Sequence, residues 1–238
     1  MTAALELVCV SKTHGDGDAA VTALDQVSLT VGDQDFVAVM GPSGSGKSTL
    51  LQLAGGLATP TLGEVLVAGQ PLGGLSATQR ALVRRRSVGY VFQEANLLPG
   101  LTAAENVAFP LELDGISGAQ ARREALALLG EVGVEELADR RPEDMSGGQA
   151  QRVAIARALT GQRRLLLADE PTGALDSTAG ELMMRVLRER ADRGVAVVLV
   201  THDARFAAWA DRTVFLRDGR CVDIAAASDP AHLLTPHA

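Results

Sequence analysis

The segment Phe36-Val37-Ala38-Val39-Met40-Gly41-Pro42-Ser43-Gly44-Ser45-Gly46-Lys47-Ser48-Thr49 governs how the rest of the chain is read. Its first five residues are all apolar, which predicts a strand covered on both faces; a half-exposed strand would alternate with polar residues. The next eight, Gly41 to Ser48, match G-x-x-x-x-G-K-[ST], and Thr49 follows. Glycines at those places let backbone N–H groups turn inward around a phosphate. A helix predicted over 48–57 aims its positive N-terminal end at the same anion. Lys47 brings a point charge for the β- and γ-phosphates of a nucleotide, and the Ser48 hydroxyl can ligate Mg²⁺.

Working outward, Arg164-Leu165-Leu166-Leu167-Ala168-Asp169-Glu170 is a second apolar strand, ending in two carboxylates. In open α/β sheets the strand C-termini face the ligand crevice. Asp169 is therefore expected to hold Mg²⁺, and Glu170 to polarise an attacking water. Further strands are predicted at 5–10, 27–31, 65–67, 88–92, 195–200 and 214–216. Helices are predicted at 120–129, where Ala125, Leu128 and Leu129 share a face, and at 151–159, with a start near Ser146. The stretch 95–160 reads as helix and loop inserted between strands. The expectation is one α/β domain over 4–224. Its core spans about 4–94 and 160–224, its helical part about 95–159, and 225–238 form a peripheral tail.

Composition sets limits. The chain has 238 residues, 22 basic and 29 acidic, with net charge −7. Such a balance lacks the basic footprint of a general nucleic-acid binder. Only Lys12 and Lys47 are lysines; the other basic residues are arginines. Keeping lysine at 47 in a chain that otherwise uses arginine supports the loop reading, since a compact ammonium suits a tight phosphate loop better than a broad fork. The cysteines, Cys9 and Cys221, cannot build a disulfide framework or a four-ligand zinc site, and are expected to be small buried residues of a reduced cytosolic protein. No apolar run approaches 18 residues, and the N-terminus lacks a signal-peptide pattern, so no membrane span or leader is expected.

Met145-Ser146-Gly147-Gly148-Gln149, followed by Gln151-Arg152-Val153-Ala154-Ile155-Ala156-Arg157-Ala158-Leu159, closely resembles the signature of ATP-binding-cassette (ABC) ATPases. Gly41–Thr49, Gln93, Asp169-Glu170-Pro171-Thr172-Gly173, Asp176 and His202 stand in that family's order. The resemblance covers about 4–224. It implies a P-loop NTPase (RecA-like) parallel-sheet core with an antiparallel β subdomain and an α-helical insertion. It also implies a dimer holding two ATP molecules head to tail. Ser146, Gly147, Gly148 and Gln149 would then close on ATP held by the opposite subunit, where a helix start supplies hydroxyl, N–H groups and dipole. Ser146 also reads as an ordinary N-cap, which is compatible with that role. The resemblance makes Gln93 a ligand of Mg²⁺ and the attacking water, Asp176 an interface acid, and His202 a contact of the γ-phosphate and Glu170. The family's aromatic adenine stack is absent; the matching slot carries His14, whose imidazole stacks more weakly.

Asn96-Leu97-Leu98-Pro99-Gly100-Leu101-Thr102-Ala103-Ala104-Glu105-Asn106-Val107 resembles the subgroup that serves lipoprotein release, macrolide and antimicrobial-peptide export, and cell division. That implies an ATP-hydrolysing subunit that moves a separate integral-membrane permease, docked near 94–115. Its expected place is the cytoplasmic face of the membrane, held through the permease. The alternative is a regulatory ATPase that signals through a permease-like partner to cell-wall enzymes without transport.

Overall fold

A computed structural model describes residues 3–15 and 17–226. Its strands are β1 (Leu5–His14), β2 (Val21–Val31), β3 (Phe36–Met40), β4 (Leu62–Val67), β5 (Gln70–Pro71), β6 (Val88–Val91), β7 (Leu165–Asp169), β8 (Ala196–Val200), β9 (Arg212–Arg217) and β10 (Arg220–Ala226). Its α-helices are α1 (Lys47–Ala54), α2 (Ala77–Ser87), α3 (Ala103–Leu113), α4 (Gly118–Glu131), α5 (Gly147–Leu159), α6 (Ser177–Asp192) and α7 (Ala204–Ala207).

The three all-apolar runs form the centre. In the six-stranded sheet β10-β9-β3-β8-β7-β6, every pairing is parallel except β9 with β10. Strand alternation divides the apolar residues between two cores. Phe36, Ala38, Leu166, Ala168, Val197 and Leu199 face the helical side, where α3 to α6 pack. Val37, Val39, Leu165, Leu167, Val198 and Val200 face α1 and the second sheet. That sheet, β2-β1-β4-β5, is antiparallel. Helix α1 lies in the second core with Leu50, Leu51 and Leu53 fully buried. Each such burial contributes about 1.5–3 kcal/mol before entropy is counted. The fold is thus the α/β class expected, with the central strands β3, β7 and β8 buried on both faces.

One glycine fixes how closely α5 approaches this sheet. A Cβ on Gly89 would lie 2.1 Å from the Ala158 carbonyl oxygen. Only glycine lets β6 and the C-terminal end of α5 meet at that distance.

Several boundaries move for local reasons. α1 stops at Ala54, three residues before the expected end, because Gly55-Gly56 follow and Gly56 takes φ 64. β8 starts at Ala196, after Gly194 with φ 107. Two further elements are not predicted from the sequence: α2, which buries no residue, and the edge strand β10, whose alternating Val222 and Ile224 face solvent. α6 was also unread, although Met183, Met184, Leu187 and Ala191 recur at helical spacing.

The expectation of buried cysteines is corrected. Cys9 is exposed at an interruption of the β1 register, with φ 47, where its N–H meets the Ser28 hydroxyl. Cys221 is half-buried on the edge strand β10, and burial pushes its thiol up. The expected tail loses its first two residues to β10; 227–238 lie outside the described residues.

Candidate functional site

Three parallel strands deliver the site at their C-terminal ends: β3 runs into the glycine loop, β7 ends in Asp169, and β8 precedes His202. A cavity of about 420 Å³ collects Gly41, Ser43, Gly44, Gly46, Lys47, Ser48, Thr49, Gln93, Asp169, Glu170 and His202. Residues read from four separate segments therefore share one chamber.

The loop is held by its own backbone. Lys47 Nζ donates to the carbonyls of Gly41 and Pro42, both at 2.8 Å, which fixes the ammonium over the loop. Gly46 takes φ 101, and a Cβ there would lie 2.3 Å from the Ala23 carbonyl oxygen. β2 thus presses on the loop where only glycine fits. α1 begins with no side-chain cap and no acid in its first turn, so its free N–H groups remain available to an anion. Ser45 is buried, and its hydroxyl has no partner among the described residues.

Asp169 is 7 % exposed. Burial raises its carboxyl above the usual aspartate range and the Glu170 charge adds to this, while a Ser48 hydrogen bond and the Lys47 charge oppose it. A carboxylate, a serine hydroxyl and the Gln93 amide form an oxygen-rich set that suits a hard cation such as Mg²⁺. No cluster of three or more His, Cys, Asp or Glu could hold a metal among the described residues. A cation here would complete its shell with nucleotide and water oxygens, the usual habit of Mg²⁺.

Glu170 leaves β7 with φ 46, a left-handed conformation that costs of order 1–3 kcal/mol for a residue with a Cβ. Its N–H donates to the Val200 carbonyl at 3.0 Å, which ties the turn to β8. Across that bond its Oε1 meets His202 Nδ1 at 2.9 Å. The histidine side chain is 78 % exposed and the glutamate only 16 %. The pair thus joins a sheltered carboxylate to a ring open to the cavity mouth.

The remaining expected residues lie outside these walls. Ser146 caps α5 in a reciprocal box: its hydroxyl accepts from Gln149 N–H, and Gln149 Oε1 accepts from Ser146 N–H at 2.9 Å. The hydroxyl proton is left over for another acceptor. Gly148 lies against the turn after Glu170, with the Ala174 carbonyl oxygen 3.0 Å from where a Cβ would be. Asp176 accepts from Ala179 N–H at 2.8 Å and caps α6. His14 is exposed at the end of β1 and lines none of the cavity.

Sequence reasoning assigned no role to Gln151 or Arg157, although both stand in the quoted signature. It also missed the arginines of α2, whose visible signal was the Ser76–Gln79 capping box. Arg84 and Arg85 join Arg157 and Arg163 around a groove of about 610 Å³, with Leu82, Tyr90, Pro110 and Leu113 as its apolar part. Of the expected docking residues Leu97, Leu98 and Leu101, only Leu98 is exposed.

Comparison with known proteins agrees with this arrangement. A family described as ABC transporter matches residues 24–173. The macrolide export ATP-binding/permease protein MacB of Brucella melitensis is 45 % identical over 236 residues, 98 % of this chain but 36 % of that protein. The chain thus spans about a third of the length of that relative. An uncharacterized ABC transporter ATP-binding protein of Methanocaldococcus jannaschii, MJ1508, is 41 % identical over 92 % of this chain and 98 % of its own length. The cassette MJ0796, solved as a dimer in a post-hydrolysis state with ADP and Pi, superposes with TM-score 0.90 at 41 % identity, covering 94 % of this chain and 99 % of that one. With its fold, its site geometry and a relative matched along nearly its whole length, this chain belongs to the ABC transporter ATP-binding family.

Proposed function

We propose that the chain is the ATP-hydrolysing subunit of an ABC transporter, working as a homodimer and driving a membrane permease of the export or extraction type. One observation carries the enzymatic part. The Glu170–His202 pair, at 2.9 Å, lines the same cavity as Lys47, Ser48 and Asp169.

In this reading the glycine loop and the N-terminus of α1 wrap the phosphates, and Lys47 offers its ammonium to the β- and γ-phosphates. Ser48, Gln93 and Asp169 would hold Mg²⁺, which would supply positive charge against the phosphate oxygens. Glu170 accepts a proton from water, and His202 orients that carboxylate. Ser146, Gly147, Gly148 and Gln149 complete the partner's site, with Asp176 at the seam, and His14 lies under the base. Residues 95–159 act as a helical subdomain between core segments 4–94 and 160–224.

The permease part rests on the groove between α2, α3 and α5. Leu82, Phe109 and Leu113 are exposed along it or beside it, and four arginines surround it. An amphipathic cytoplasmic helix of the permease fits that mixture. MacB relatives, named for macrolide export, favour export over the regulatory alternative. Among the described residues no helix is long and apolar enough to cross a membrane, which suits attachment through a partner. The direct test is equilibrium ATP binding to Lys47→Ala. Binding should fall at least tenfold, by loss of a charged contact to two phosphates; unchanged affinity contradicts the loop reading.

A further inference from the structure

We propose that Gln151 and Arg157 are positioning residues for Gln93, a two-point clamp through which helix α5 sets the place of that glutamine. The inference rests on the proposed ATPase reading and extends it to residues with no assigned role.

Gln93 stands two residues after the end of β6 at Val91, at the start of the connection to α3. The backbone on both sides of it is bonded to one helix. Gln151 Nε2 donates to the Phe92 carbonyl at 3.0 Å. Arg157 donates through Nη2 to the Ala95 carbonyl at 3.0 Å and through Nη1 to the Asn96 carbonyl at 2.8 Å. The two anchors are six residues apart, roughly 9 Å along the helix axis. Gln151 is 2 % exposed, so its bond is made out of water, where a missing partner is costly. Asn96 takes the left-handed φ 47 at the point where the arginine fork grips it. Burial also lowers the Arg157 pKa, and among the described residues no carboxylate pairs with it. A desolvated guanidinium spent on two loop carbonyls is an expensive way to hold a surface loop, unless the loop's position matters.

The consequence is directional. The N-terminus of α5 carries Ser146 to Gln149, the residues read as meeting the partner's nucleotide. A shift of that helix moves Phe92, Ala95 and Asn96 with it, and Gln93 lies between them. Assembly of the dimer is thereby coupled to the metal and water side of the chain's own cavity.

Steady-state hydrolysis by the full chain, with ATP affinity measured in parallel, tests this. Gln151→Leu keeps the volume and removes the donor. It should lower kcat about tenfold, with the ATP dissociation constant changed less than about twofold. Placed on a Gln93→Ala background, the same change should lower kcat less than about twofold further, because nothing is left to position. Arg157→Lys keeps the cation and loses the fork; it should show a smaller loss, again absent on the Gln93→Ala background. Full multiplicative losses on that background, or an unchanged kcat in Gln151→Leu, overturn the clamp. A wild-type chain that neither binds nor hydrolyses ATP overturns the reading beneath it.

Discussion

At the scale of single residues, the site works by placing charges where their surroundings change their behaviour. Asp169 is kept buried beside the hydroxyl and ammonium that moderate it, whereas Glu170 is swung out of β7 by a left-handed turn toward His202. No composition or spacing foretells that turn, because glutamate has no preference for φ 46. The unusual residue is His14. An imidazole offers less stacking surface than the aromatic ring that the family resemblance leads one to expect, and here it sits exposed beyond the cavity walls. If it carries the base, His14→Ala should raise the ATP dissociation constant about threefold to tenfold, read by fluorescent-nucleotide titration. An unchanged constant means that the adenine rests elsewhere.

At the scale of elements, helix starts matter most. α1 is left open at its N-terminus, whereas α2, α3 and α5 close theirs with capping boxes. The box on α3 joins Thr102 and Glu105, with Thr102 N–H donating to Glu105 at 2.8 Å. That bond holds the Glu105 carboxyl below the usual glutamate range. A lowered folded-state pKa means stability that is present above the unfolded glutamate pKa and lost as pH falls through the folded one. Glu105→Ala should therefore cost about 0.5–1 kcal/mol at neutral pH and less in acid. Urea unfolding at both pH values checks this, and an equal loss at both contradicts the charged half of the cap.

What the sequence made legible follows the same physics. Apolar runs such as Phe36–Met40 declare strands buried on both faces, and the residues at their C-terminal ends were found in one cavity. Elements whose apolar residues are few, such as α2, leave no period to read. Cys9 escaped because a break in strand register turns its side chain outward, and residue type carries no trace of register.

At the scale of the whole molecule, the six-stranded sheet separates two cores, and the cavity opens at the C-terminal edge between them. The groove beside α2 and α3 is a distinct surface, with its own walls and charge. Leu113, 49 % exposed, is a place to test its use. Leu113→Glu should release the chain from membranes that contain the proposed permease partner, judged by sedimentation, while solution ATP affinity stays within about twofold. Continued sedimentation with the membranes argues that docking lies elsewhere. The acidic net charge of −7 fits attachment through such a protein surface better than attachment to anionic lipid.

Glu170 is proposed to activate water at a nucleotide closed between two copies of the chain. The most direct measurement is size exclusion of Glu170→Gln with and without ATP, together with its turnover. ATP should be bound, turnover should fall at least a hundredfold through loss of the base, and the chain should elute as a dimer only with ATP. The same form carrying Ser146→Arg should stay a monomer. A Glu170→Gln chain that hydrolyses ATP at the wild-type rate contradicts the base assignment, and one that binds ATP yet never dimerises contradicts the shared site.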